Sequence, residues 1–150
     1  MEKVNIYLYS SVKSINGQGI GVYVLEAPDI PFKEGSNPKP GIVSLEGQRL
    51  KCVLTLLKCT LKHIRRPSNL HIYVDDVALY GDLINNLPIW EQNMWITKRG
   101  TEVKNKDLWI QIYEMLKCHI YEVELSKTHK YYSWQQFEAE RRNRERINQN

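Results

Sequence analysis

No stretch of this chain approaches the run of about 18 apolar residues that a membrane-spanning helix needs, which argues against a helical span. Residues Met1 to Tyr7 pass straight into alternating apolar and polar side chains with no cleavage region, so no secretory leader is expected. Cysteine is scarce and odd in number: Cys52, Cys59 and Cys118. Cys52 and Cys59 are two turns apart on an expected helix, too far for a bridge along it. None of the three has zinc-ligand spacing, and reduced thiols in a cytoplasmic protein are the expectation. There is no internal repeat and no long linker, and a chain of 150 residues is expected to form one domain, 1–150, with a charged helical end from about 138. Excess charge is small too: 21 Lys and Arg against 17 Asp and Glu leave +4, which suits an anionic partner without demanding one.

What is present reads as alternating elements. Val4–Ser10 alternates as a strand, Asn16–Gly19 is a turn signal, and Ile20–Glu26 is the returning strand of a hairpin. Four prolines between Ala27 and Gly41 mark a loop that no central strand can contain. A short strand, Ile42–Leu45, precedes the clearest helix, Gln48–Ile64, where Leu50, Val53, Leu54, Leu57, Leu61 and Ile64 form one apolar stripe. Leu70–Val74 is nearly all apolar and reads as a central strand. A helix over Val77–Asn86, a break at Leu87-Pro88, a short helix over Ile89–Thr97 and an amphipathic helix over Lys106–Lys117 follow. A strand, His119–Leu125, and a last helix from Trp134 to about Ile147, capped by Ser133, complete the chain. This order implies a mixed sheet with helices on its faces.

Residues able to do chemistry gather in a few places. Asp75 and Asp76 end the apolar strand; such a pair ligates a cation or caps the helix beginning at Val77. Trp95, Lys98, Arg99, Lys104 and Lys106 surround a basic turn that either grips phosphates or is simply solvated. Asn16, Gln48 and Asn105 carry amides suited to sugar hydroxyls, by which RNA is told from DNA. Lys51, Lys58 and Lys62 line one helix face, as a phosphate track or a solvated stripe. Trp109 and Trp134 are expected in the core, and His63, His71 and His119 have no partner spacing that marks a site. Arg141, Arg142, Arg144 and Arg146 give the last helix a basic tail, for nucleic acid, a partner, or solvent.

The strand ending in Asp75, then Trp95, Lys98, Gly100 and the run Lys104–Trp109, with hairpin glycines Gly17, Gly19 and Gly21, resemble the type 1 ribonuclease H family over nearly the whole chain. The ending His129–Trp134 is similar to divergent members carried on mobile elements of Gram-positive bacteria. The resemblance implies an α/β, ribonuclease H-like fold: a five-stranded mixed sheet, antiparallel in its first three strands, with helices on both faces. It implies cleavage of the RNA strand of an RNA–DNA hybrid by two divalent metals, Mg²⁺ or Mn²⁺, held by carboxylates. Position by position, the first acid falls at Tyr9, the second at Lys51, the third at Asp75 and the last near Gln136 to Glu138. A phenol and an ammonium are chemically adverse metal ligands, and a Lys51–Asp75 contact would replace the metal electrostatically. His129 falls where active relatives carry a mobile histidine that helps product leave.

The leading expectation is thus a protein that binds hybrid or other nucleic acid, with ribonuclease activity weak or lost and no cofactor. The alternative is an active Mg²⁺- or Mn²⁺-dependent nuclease rebuilt on Asp75, Asp76 and Glu138, with Glu46 as a further acid. A third is a module on the same fold that binds a protein partner.

Overall fold

The computed structural model describes residues 1–148. Five strands, β1 (Glu2–Ser10), β2 (Asn16–Glu26), β3 (Lys39–Gln48), β4 (Ser68–Val74) and β5 (Ile120–Leu125), form one mixed sheet in the order β3-β2-β1-β4-β5. β1, β2 and β3 pair antiparallel, whereas β4 runs parallel to both β1 and β5. Helix α1 (Arg49–Leu61) carries the chain from the end of β3 to the start of β4. Its leucines Leu54, Leu56, Leu57 and Leu61 are buried, each contributing about 2 kcal/mol of apolar transfer. Beside it packs α4 (Lys106–Leu116), whose Trp109 and Ile112 are fully enclosed. The opposite sheet face is covered by α5 (Tyr132–Asn148), which rests on β1 and β2.

Alternation in β1 explains the two faces. Val4, Ile6 and Leu8 enter the core under α1, and Tyr9 joins Ile20, Val22 and Ala139 under α5. Gln135 of α5 is buried and donates from Nε2 to the carbonyls of Tyr7 (3.0 Å) and Val22 (2.9 Å), anchoring that helix to the sheet.

Several boundaries differ from the pattern reading. β2 begins at Asn16, so the expected glycine turn is strand; the true turn lies at Ser11–Ile15, and a Cβ on Gly19 would collide with Ser11 and Val12. β3 spans Lys39–Gln48 and accepts Pro40 because it is an edge strand, where a missing N–H costs nothing. Leu87-Pro88 does not break the helical path. α2 (Val77–Gly81) runs into a π-helical turn, Asp82–Asn86, and on into α3 (Leu87–Gln92), with Pro88 in the first turn of α3. The wider turn lets the Leu87 amide reach the Asp82 carbonyl, and Pro88 lacks the N–H that would have sought the next. The helix expected to Thr97 stops at Gln92, since Met94 and Trp95 are left-handed. Trp109 is in the core as expected, but Trp134 is 41% exposed, because α5 turns Gln135 and Ala139 toward the sheet instead. Ser133 lies inside the first turn of α5 rather than capping it. The three cysteines are free thiols.

Candidate nucleic-acid interface

Topology collects the site at one end of the sheet. β1 and β4 are parallel, so both finish there; β2 begins there, β3 ends there, and α1 and α4 start there because each must return to the far end before the next strand. The register that sets Tyr7 beside Tyr73 makes Tyr9 and Asp75, two residues on, neighbours on the α5 face.

Asp75 is the focus. Its carboxylate accepts a 2.7 Å hydrogen bond from Lys13 Nζ, in the β1–β2 turn, and a 2.9 Å bond from the Tyr132 hydroxyl on α5. Its side chain is 4% exposed, whereas that of Lys13 is 51% exposed. The Lys13 ammonium also lies over the Tyr9 ring, 4.8 Å from its centroid, and the Tyr9 and Tyr132 rings meet edge-on at 5.5 Å. Burial, and then the charges of Asp75 and Glu140, raise the Tyr9 phenol above its ordinary value; the Gln136 side chain, hydrogen-bonded to Tyr9, partly offsets this. Burial and the bond to Asp75 raise Tyr132 further. Both phenols are therefore neutral at physiological pH, unlike metal-binding carboxylates, and Tyr132 donates to Asp75. His129 lies against Tyr132 at 5.6 Å between ring centroids, and burial lowers its imidazole despite the opposing Asp75 and Glu124 charges.

The other candidate acids are engaged elsewhere. Asp76 caps α2, accepting from the Leu79 amide at 3.0 Å, and pairs with Arg49. Glu138 pairs with Arg141 and, more distantly, Arg142 along its own helix, and Glu46 accepts from Gln18 at 3.4 Å. The anticipated Lys51–Asp75 contact does not form. Lys51 is exposed on the first turn of α1 without an ion pair among the described residues, and the cation reaching Asp75 is Lys13. The described residues hold no group of three His, Cys, Asp or Glu side chains arranged around a common cation.

A divalent metal fits this donor set poorly. Magnesium takes about six oxygen ligands in near-octahedral geometry, and the one acid at the focus of this site, Asp75, already receives an ammonium and a phenol.

The basic turn is built differently. Ile96 and Glu102 bridge across Thr97–Thr101, and the Thr97 and Thr101 hydroxyls bond at 2.8 Å, so Lys98 and Arg99 project from a closed loop. Trp95 is half-buried, edge-on to Tyr113 at 5.9 Å. Lys98, Arg99 and Lys104 are exposed and ion-pair with no carboxylate among the described residues, while Lys106 approaches Glu102 at 3.8 Å. Asn105 is left-handed at the head of α4, and its buried Nδ2 has no hydrogen-bond partner among the described residues. Strand register sets Asn16 directly opposite Gln48.

Sequence reasoning missed Lys13, Arg49 and Tyr132. Nothing local marks Lys13, which meets an acid 62 residues away. The three histidines without a sequence signal have structural partners: His63 with Tyr23, His71 with Glu122 and Glu124, and His119 with the Ser68 amide.

No protein-family model matches the chain. It is 30% identical over 115 residues to a ribonuclease H of Thiobacillus denitrificans, covering 76% of this chain and 74% of that protein. It is 34% identical over 70 residues to a ribonuclease H of Caldicellulosiruptor saccharolyticus, a match that spans about half of each (46% and 48%). In structure it is similar to LC9-RNase H1, a type 1 RNase H with the type 2 active-site motif. The TM-score is 0.72 at 16% identity, over 93% of this chain and 71% of that one. The sheet order, the helices on both its faces and this kinship agree: the chain belongs to the ribonuclease H family.

Proposed function

We propose that this protein binds RNA–DNA hybrid at the end of its sheet and has lost metal-dependent cleavage, its own Lys13 ammonium standing where the family would hold a metal. The observation that carries the reading is the contact of Asp75 with Lys13 at 2.7 Å and Tyr132 at 2.9 Å. Tyr9 and Lys51 at two other acid positions support it, since neither side chain replaces a carboxylate as a magnesium ligand. Lys98, Arg99 and Lys104 supply phosphate contacts, Trp95 lies alongside, and Asn16, Gln48 and Asn105 offer amides to sugar hydroxyls. The chain acts as one cytoplasmic domain of mobile-element type, without a cofactor.

The test is hybrid binding by fluorescence anisotropy in EDTA and in Mn²⁺, with RNA cleavage followed in parallel. Equal affinity in both with intact RNA supports the reading. RNA cleavage in Mn²⁺ that vanishes in Asp75→Asn would establish instead a nuclease rebuilt on Asp75, Asp76 and Glu138. An affinity insensitive to salt and to Lys98→Ala would leave only a protein-binding role for the fold.

A further inference from the structure

The far end of the sheet carries a second, unrelated feature. A cavity of about 740 Å³, in the size range of ligand pockets, opens between the 27–38 loop and the connection from α1 to β4. Its wall is apolar: Val4 and Leu25 from the sheet, Ile64, and Ile30, Pro31 and Phe32 from the loop. Phe32 is 77% and Ile30 46% exposed, a pair of large apolar side chains left in water beside an open cavity.

The loop is built to hold that position. The Asn37 side chain accepts from the Ala27 amide at 2.8 Å. It donates to the carbonyls of Ala27 and Ile30, each at 3.0 Å, and of Pro31 at 3.2 Å. The Lys33–Asn37 bridge closes the turn. Phe32 is therefore presented by ordered backbone, which lowers the entropy a ligand must overcome.

The rim is cationic. Lys33, Lys39, Arg65 and Arg66 line the cavity, and none ion-pairs with a carboxylate among the described residues. The imidazole of His63 registers this field: burial, then the Lys39 and Arg65 charges, hold it below its ordinary value. Of the two acids in the lining, Glu26 is already paired with Lys130 at 2.6 Å.

We propose that this cavity docks a short acidic peptide segment of another protein. An apolar side chain of the segment would enter beside Phe32, and its carboxylates would meet Arg65, Arg66, Lys33 and Lys39. Charge complementarity sets the sign of the partner, and the aliphatic wall calls for an apolar anchor. A nucleic acid suits the cavity less well. Phe32 is the one phenyl ring in the lining, so there is no platform on which successive bases could stack. This inference does not depend on hybrid binding, which uses the opposite end of the sheet.

The experiment is fluorescence polarisation of the full chain with a panel of labelled decapeptides. Asp/Glu content and a Leu-Phe anchor are varied independently, with Lys-for-Asp versions and a single-stranded dT10 as controls. Peptides carrying both features should bind, more weakly as salt rises. The dissociation constant should increase roughly tenfold in Phe32→Ala and at least about tenfold in Arg65→Glu/Arg66→Glu. Lys33→Glu, on the loop, should weaken binding in the same direction, and Asp75→Asn should leave it unchanged. The substituted cavity side chains Phe32, Lys33, Arg65 and Arg66 are exposed, and circular dichroism checks that each variant, Asp75→Asn included, is folded. Acidic peptides binding no better than their lysine versions would overturn the proposal. So would loss of dT10 rather than peptide binding in these variants, which would assign the cavity to nucleic acid.

Discussion

Replacing Lys13 with methionine tests the internal cation directly. The Lys13–Asp75 contact is 2.7 Å, with side-chain exposures of 51% and 4%. A fully exposed pair contributes at most about 1 kcal/mol, and stranding a buried charge costs about 3–5 kcal/mol. With one partner enclosed and the other half in water, and with Tyr132 still donating at 2.9 Å, the loss should be about 2 kcal/mol. For a chain of 150 residues that lowers Tm by about 4–8 °C. Thermal and urea unfolding of Lys13→Met, Asp75→Asn and the double variant form a closed cycle that isolates the pair. Its coupling energy should be about 1–2 kcal/mol. A coupling within about 0.3 kcal/mol of zero would show that Lys13 does not serve Asp75, and the reasoning would fail.

Other expectations follow from the same geometry. Lys98→Ala, Arg99→Ala and Lys104→Ala should each reduce the slope of log affinity for hybrid against log salt by about 1, measured by anisotropy across KCl concentrations. Lys106→Ala should do less because Glu102 already approaches that ammonium. Gln135→Leu leaves the Tyr7 and Val22 carbonyls without their buried donor and should cost about 3 kcal/mol in urea unfolding. Glu26 gives a pH dependence. Burial alone would raise its carboxyl, but bonds from Lys130, Asn5 and Tyr131 prevail and hold it below the ordinary 4.5. A depressed folded value means stability that is present above pH 4.5 and lost as pH falls through the folded value. Glu26→Gln should therefore lose less stability than the parent between pH 5 and about 3. Burial, and then the bond to this carboxylate and its charge, push the Tyr131 phenol up to about 12, so near-ultraviolet titration should find that tyrosine ionising late.

The fold was legible where the chain repeats a period or breaks it with a special residue. The alternation in Val4–Ser10, the apolar stripe of α1 and the Trp109 face of α4 each identify an element by burial alone. The ends were harder, because they depend on neighbours. β2 reaches back to Asn16 through pairing with Gln48, and Pro88 continues a helical path only because a π-helical turn precedes it. Trp134 misled because its composition suggests core, while the helix phase is set by Gln135 binding sheet carbonyls.

At the site, Asp75 could be read from its place at the end of an apolar strand, and Tyr9 from its place in the first strand. The neighbourhood of these two residues was therefore visible, but the cation that reaches Asp75 was not. Lys51 was the ammonium that the alignment offered; Lys13 is the one that the turn between antiparallel strands delivers to the end of the parallel neighbour. That delivery depends on the sheet order, which no local pattern encodes.

Hybrid binding with the protein's own cation in the metal's place is tested most directly by incubating pure protein, at concentrations well above its hybrid dissociation constant, with end-labelled RNA–DNA hybrid in Mn²⁺ and in EDTA. Bound, intact RNA is expected under both conditions. RNA cleavage that requires Mn²⁺ and disappears in Asp75→Asn would contradict it.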